Sequence, residues 1–169
     1  MKKTVTLALA SCLLAGMMFL VGCGEEKTTV ETPEGRVEVT EEGEGKITYK
    51  TDEGEATYES ATEAPSENEL GAPVYPGAEF SEEGSGTVTG SSAEGEYSAT
   101  VAEFVTGDGF EEVLSWYEKK LGEPLYIDAT IKEASWTKVE NQKIIAVSIQ
   151  EQDGKVKIII SSTSVPLSP

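Results

Sequence analysis

Residues 143–161, KIIAVSIQEQDGKVKIIIS, contain two alternating apolar segments on either side of a two-residue turn. The positions that share one face are Ile145, Val147, Ile149, Val156, Ile158 and Ile160. Asp153 and Gly154 between the segments suit a type I′ turn, because both central positions of that turn need positive φ. The stretch therefore predicts a β-hairpin with one buried face.

An amphipathic helix is predicted before this hairpin, over residues 109–121. Its apolar stripe follows helical spacing and consists of Phe110, Val113, Leu114, Tyr117 and Leu121. Asp108, with Glu111 three residues later, suits the N-cap, and Gly122 suits the C-terminal end. Trp116 lies off the centre of the stripe, so we expect it at the margin of the core or exposed.

Further strands around the helix complete a domain that we expect to cover residues 74–165. A weak strand is predicted around residues 87–89, a stronger one over 97–105 and a third over 134–139. The strand at 97–105 places on one face Tyr97, Ala99 and Val101. The order β-β-α-β-β-β predicts an α+β fold, with an antiparallel sheet of about five strands and one helix packed on it.

The acidic segment at residues 23–58 contains a repeat, Glu-Gly-x-apolar-x-apolar, in three copies. Alternation places on one face Val37, Val39, Ile47, Tyr49, Ala56 and Tyr58. A short three-stranded β-meander is one interpretation. Disorder is the other, because so few apolar residues hardly offset a backbone entropy cost of about 1 to 2 kcal/mol per residue. Residues 59–73, rich in Ser, Ala, Pro and Glu, are predicted to be a linker.

The beginning of the chain has the features of a targeting segment. Two lysines precede an uncharged, mostly apolar run at residues 4–21, and the run ends in LVGC at residues 20–23. This pattern resembles the lipobox of bacterial lipoproteins. The resemblance implies that residues 1–22 are a signal peptide, that cleavage falls between Gly22 and Cys23, and that Cys23 carries diacylglycerol. It also implies a further acyl chain, such as palmitate, on the new amine.

Two or three acyl chains hold a protein stably at a membrane. The resemblance therefore implies a cell-envelope protein on the outer face of the cytoplasmic membrane or on the outer membrane. An uncleaved signal anchor is the alternative, because the 18 residues at 4–21 approach the roughly 20 that span a bilayer.

Residue counts exclude several kinds of site. The chain has no histidine, and Cys12 lies in the leader, so Cys23 is the one cysteine left in the mature chain. This excludes an internal disulfide, zinc sites built from His and Cys, and nucleophiles activated by histidine. We therefore predict a protein that is not an enzyme, with no catalytic residues, no cofactor and no metal.

Charge limits the partners. The 31 acidic and 11 basic residues after Cys23 give the mature chain a net charge of −20. Nucleic acid is excluded as a ligand, because its recognition needs a basic surface. The same charge opposes close contact with anionic lipid head groups.

Two short motifs mark the C-terminal region: YPGA at residues 75–78 and F-x-x-V-x-x-W-Y at residues 110–117. On these motifs, residues 74–161 resemble uncharacterised small α+β modules of secreted and lipid-anchored bacterial proteins. The resemblance implies no catalytic residues.

Trp116, Tyr75 and Tyr126 are the candidate binding residues, because exposed aromatic side chains are enriched at interfaces. Their alternative role is to complete the hydrophobic core. We expect a lipid-anchored envelope protein with a non-catalytic binding or structural domain, whose partner is another envelope protein or a glycan. A self-associating structural protein and a hydrolase that uses carboxylates alone are the alternatives.

Overall fold

A computed structural model describes residues 26–32, 35–41, 45–52, 54–93 and 95–164. The described strands are β1 (Glu26–Thr32), β2 (Gly35–Glu41), β3 (Lys46–Thr51), β4 (Gly54–Ser60), β5 (Glu79–Ser92), β6 (Gly95–Thr106), β7 (Tyr126–Asp128), β8 (Glu133–Glu140), β9 (Lys143–Gln152) and β10 (Lys155–Ser164). The helices are α1 (Glu67–Leu70) and α2 (Phe110–Leu121). All ten described strands form one antiparallel sheet in the order β1-β2-β3-β4-β5-β6-β10-β9-β8-β7.

The predicted α+β fold, with about five strands and one packed helix, is wrong. The protein is mostly β, and the described residues of the acidic repeat segment form strands β1–β4 of the same sheet. β4 pairs with β5 along its whole length, from Gly54 opposite Ser92 to Ser60 opposite Gly86. Because β4 continues the ladder of β5, the repeats extend the C-terminal sheet, and β1 and β7 add the two edges.

The predicted helix and the last hairpin are confirmed. α2 runs from Phe110 to Leu121, and the turn between β9 and β10 has φ of 53° at Asp153 and 76° at Gly154. The predicted N-cap is wrong, because Gly109 occupies that position and makes no side-chain hydrogen bond. The carboxylate of Asp108 instead accepts a hydrogen bond from the hydroxyl of Tyr75, at 2.9 Å.

Both helices lie on the same side of the sheet, and the core lies between them and the sheet. On β9 and β10, the side chains of Ile149, Ile158 and Ile160 are completely buried. The ring of Tyr117 on α2 contacts that of Trp136 on β8, with centroids 5.5 Å apart. α1 packs on the same face. Its C-cap, Gly71, lies so close to Ile145 that an added Cβ would be 2.5 Å from the δ-methyl group.

The predicted linker contributes to this core. α1 begins with a capping box, in which Ser66 and Glu69 satisfy each other's backbone N–H groups. Leu70 is completely buried and Ala72 is nearly so. The chain between β4 and β5 is therefore fixed across the helix side of the sheet.

A bulge in β5 divides the sheet into two regions. The pairing of β5 with β6 shifts register between Ser81 and Gly86. Ser85, inside the bulge, is fully buried; its Oγ donates to the carbonyl of Ser81 at 2.6 Å and accepts the N–H of Glu103 at 2.8 Å. We call β7–β10 with residues 79–81 and 102–106 the covered region. We call β1–β4 with residues 86–92 and 95–101 the open extension.

Candidate binding surfaces

The predicted lipid-attachment site, Gly22 and Cys23, lies outside the described residues. The first described strand begins at Glu26, three positions after Cys23. No helix within the described ranges is long and apolar enough to cross a membrane.

The three predicted binding aromatics do not form one surface. Tyr75 is buried and lies edge-on against Trp116, with ring centroids 5.4 Å apart. Trp116 is half-buried and packs against the core from the helix side. Tyr126 is 46% exposed on β7, where it pairs with Ser135. Because Ser135 alternates with buried Trp136, Tyr126 lies on the opposite side of the sheet from the other two.

The aromatic cluster beneath α2 has satisfied polar groups. The hydroxyl of Tyr117 donates to the carbonyl of Pro73 at 3.3 Å. The indole N–H of Trp136 donates to the carbonyl of Gly122 at 2.9 Å. Burial and the neighbouring carboxylate of Asp108 raise the pKa of Tyr75 to about 12, and burial raises the pKa of Tyr117 as well. Within the described part of the chain, no buried side-chain nitrogen or oxygen lacks a hydrogen-bond partner. The cluster therefore has the character of a core, with the Trp116 margin as its accessible part.

A row of hydroxyl side chains crosses the helix side of the sheet beyond the helices. The register aligns one residue from each of six neighbouring strands, and these residues are Thr40, Thr48, Thr57, Thr89, Ser98 and Ser164. We call them the hydroxyl row. Two pairs are hydrogen-bonded: Thr48 to Thr57 at 3.2 Å, and Ser98 to Ser164 at 2.7 Å.

Two adjoining depressions follow the hydroxyl row, and together we call them the polar trough. Their volumes are about 570 and 420 Å³, both are open to solvent, and Glu55 lines both. Charged side chains flank the hydroxyls, including Lys50, which forms an ion pair with Glu55 at 3.6 Å. Alternating hydroxyl and charged groups suit a ligand rich in hydroxyl groups, which can both donate and accept hydrogen bonds.

Two carboxylates line the polar trough on either side of one serine. Glu55 and Glu96 line the larger depression on either side of Ser91, and both are exposed to solvent. Among the residues that the structure describes, no group of three His, Cys, Asp or Glu side chains could hold a metal ion.

The side of the sheet away from the helices is uncovered, and we call it the open face. The repeat residues predicted to share a face lie on it, and the register aligns them with apolar residues of later strands. One row contains Val39, Tyr49, Ala56, Gly90 and Tyr97. The next contains Ile47, Tyr58, Val88, Ala99, Thr163, Ile144 and Val139.

Two tyrosine rings lie flat on the open face over glycines of β5. A Cβ at Gly86 would lie 2.7 Å from a ring carbon of Tyr58, and a Cβ at Gly90 would overlap the ring of Tyr97. Only glycine allows this close approach, and the rings cover backbone that glycine leaves exposed. The result is a level surface in the middle of the open extension.

The sequence contains a signal for the hydroxyl row that our prediction did not use. In the second and third repeats a threonine, Thr48 or Thr57, stands between the two apolar positions, and Thr40 directly follows Val39. Since neighbouring residues of a strand point to opposite faces, apolar residues on one face imply a threonine row on the other.

Comparison with known proteins adds no relative to this description. The chain matches no protein-family model, no curated protein and no solved structure.

Proposed function

We propose that this protein is a lipid-anchored component of the bacterial cell envelope, that it is not an enzyme, and that its sheet is a rigid support for binding another envelope molecule. The observation that carries the proposal is the position of β1. It begins three residues after the candidate lipid-attachment residue, Cys23, and β1–β4 continue directly into the C-terminal sheet.

Chain geometry gives the proposal its dimensions. Three residues span at most about 10 Å, so a lipid on Cys23 keeps the β1 edge close to the membrane surface. Neighbouring strands lie about 4.8 Å apart, so β10 and β9, six and seven strand positions from β1, lie about 30 Å farther along the sheet. A hydrogen-bonded sheet of this kind fixes the helices at a distance, whereas a flexible segment would allow them to approach the membrane.

Charge supports the same arrangement. The chain contains 31 acidic and 13 basic residues, and two of the basic residues lie in the candidate signal peptide. Anionic head groups repel such a body, so lipid on Cys23 would be its means of attachment. The protein would then stand away from the membrane that holds it.

The anchor is tested by the intact mass of the protein extracted from membranes of a bacterial host. We expect a chain that begins at Cys23 and carries diacylglycerol. Cys23→Ser should abolish both lipid and cleavage, whereas Cys12→Ser, in the leader, should leave the mature mass unchanged. An uncut chain, or an unmodified Cys23, would overturn the proposed anchor.

The polar trough is the surface we assign to the envelope partner, and a glycan fits its chemistry best. Hydroxyls and carboxylates in line offer donors and acceptors along an extended chain of sugar hydroxyls. We expect the full chain to sediment with purified cell-wall glycan. The double variant Thr48→Val/Thr57→Val, which keeps the side-chain shape, should bind at least tenfold more weakly.

Thr137→Val is the matched control for this variant. Thr137 is exposed on the opposite side of the sheet, because it alternates with buried Trp136 on β8, so binding should be unchanged. Equal loss in both variants, or no loss in the double variant, would contradict a glycan site in the polar trough.

A further inference from the structure

The middle of the open face carries almost no charge, although 26% of the residues in the chain are charged and charged residues such as Glu103 and Lys157 lie beyond it on the same face. Three adjacent register rows cross this middle: the row of Tyr97 runs from β2 to β6, the row of Val88 from β2 to β8, and the row of Gly86 from β4 to β8. Among their described residues, Glu41 near the β1 edge is the one charged side chain. On the other side of the same strands lie the charged residues Glu38, Lys46, Lys50, Glu55, Glu59 and Glu96.

Apolar side chains on the open face remain in contact with solvent. Val139 is 73% exposed, Val30 47% and Ile144 41%, and the residues between them are half-buried by their neighbours. Neither helix covers them, because α1 and α2 both pack on the opposite side. An uncharged, partly apolar area of this extent marks an interaction surface.

The uncharged area is large enough for a stable dimer. The three rows contain 19 paired positions, and at about 4.8 Å between strands and about 6.8 Å between rows they cover roughly 620 Å². A standard interface buries about 800 Å² per partner and a small one about 600 Å². The band therefore reaches the area of a small stable interface before the corrugation of its surface is counted.

We propose that a second copy of this chain packs on the open face, so that two sheets face each other across a two-fold axis. A level, uncharged surface is complementary to itself, and a two-fold interface joins the same patch on both subunits. Sheets pack about 10 Å apart, with the side chains of the two inner faces interdigitating. Tyr58 and Tyr97, flat over their glycines, would lie in the centre of this contact.

A membrane surface is a poorer occupant of the open face. Surfaces that lie on anionic membranes carry Lys and Arg beside their apolar residues, and the three rows contain neither.

Pairing of two copies is independent of the proposed anchor but compatible with it. A two-fold axis directed from β1 towards β7 places both β1 edges at the same end, so two anchors could enter one membrane.

The test compares adjacent residues of β5 that point to opposite sides of the sheet. Val88 lies on the open face and Thr89 in the hydroxyl row. We expect the full chain in detergent to be a dimer by native mass spectrometry. Val88→Glu should weaken the dimer at least 100-fold, because it buries a carboxylate in each half of an apolar contact, and Thr89→Glu should remain a dimer.

A second pair of variants guards against a folding defect in Val88→Glu. Ile144 is already 41% exposed in the chain, so Ile144→Glu should keep the fold and still break the dimer. Lys143→Glu, at the neighbouring residue on the other side of the sheet, should keep the dimer. Three results would overturn the proposal. The wild type could be monomeric both at high concentration and after 100-fold dilution, or the dimer could survive both open-face variants. The third result is a monomer that binds anionic vesicles through this face. None of these outcomes depends on whether Cys23 carries lipid, so failure here is distinct from failure of the anchor.

Discussion

The covered region and the open extension are parts of one sheet, but they are stabilised differently. In the covered region, β9 and β10 alternate Ile and Val into a core beneath two helices, and several of these side chains have no exposed surface. In β1–β4, no described side chain is buried to that degree. The extension therefore depends on hydrogen bonding to β5 and on cross-strand contacts, each of which contributes about 0.2 to 1.5 kcal/mol.

This difference explains why the two faces of the extension have such different chemistry. A strand inside a single layer has two solvent-facing sides, and backbone pairing and cross-strand contacts hold it in place. The helix side uses threonine, serine and charged residues, while the open face uses Val, Ile, Ala and Tyr. A single layer without a core is the less stable part of a sheet, and covering its apolar face would stabilise it.

The largest expected effect comes from truncating one apolar side chain in each region. Ile158→Ala removes a completely buried side chain from the covered region and should cost about 2 to 5 kcal/mol of unfolding free energy. Val88→Ala, on the half-buried open face, should cost about 1 kcal/mol or less. Urea unfolding monitored by far-UV circular dichroism measures both, because strands of both regions contribute to that signal.

The comparison of Ile158→Ala with Val88→Ala must be made on the monomer, because Val88 lies in the proposed dimer contact. Dilution below the dimer dissociation constant provides that condition. Equal destabilisation by the two variants would mean that the extension has a core of its own and is stabilised in the same way as the covered region.

The covered region could be predicted from sequence because its patterns are local and strong. The alternation of Ile145, Val147 and Ile149 in β9 and the stripe of α2 each reveal a buried face without knowledge of any neighbour. The Asp153-Gly154 turn fixes the register between β9 and β10, so the hairpin follows from adjacent residues alone. These elements are confirmed.

The extent of the sheet could not be predicted because it depends on pairing between distant residues. β5, EFSEEGSGTVTGSS, contains many Gly, Ser and Glu residues and has weak strand propensity, yet it spans 14 residues. Backbone groups of β4 and β6 hold it on both sides, and a ladder hydrogen bond does not require a particular side chain. Tyr97, Ala99 and Val101 share a face as expected, but that face is the open one, and the buried residues of β6 are Ala102, Phe104 and Thr106.

The candidate site was predicted less well than the fold elements. Trp116, Tyr75 and Tyr126 were grouped as one candidate surface, but only Trp116 and Tyr75 contact each other, and Tyr126 lies on the opposite face. The hydroxyl row arises only when Thr48, Thr57 and Thr89 align across strands, and this alignment is set by the same long-range register. The hydroxyl side chains are visible in the sequence, but strand pairing decides which of them share a surface.

The smallest expected effect lies at the boundary between the two regions, in the capping box of α1. The hydroxyl of Ser66 donates to the Glu69 carboxylate at 2.6 Å and accepts its backbone N–H at 3.3 Å, and this turn places Leu70 in the core. Ser66→Ala should cost about 1 kcal/mol of unfolding free energy. Thr62→Ala, at an exposed position of the same connection, should change it by less than about 0.5 kcal/mol.

The pH dependence of the Ser66→Ala effect identifies its cause. Hydrogen bonds from Ser66 lower the pKa of Glu69 below its ordinary value of 4.5. A carboxyl whose pKa is lower in the folded state stabilises the fold above its unfolded pKa and loses that contribution as pH falls through its folded pKa. The difference between wild type and Ser66→Ala should therefore stay constant from pH 7 to about 5 and shrink below pH 4.5. A difference that is absent at pH 7, or that grows on acidification, would show that the connection between β4 and β5 is not held by this cap. The boundary between the covered region and the open extension would then rest on the burial of Leu70 and on the Ser85 bulge.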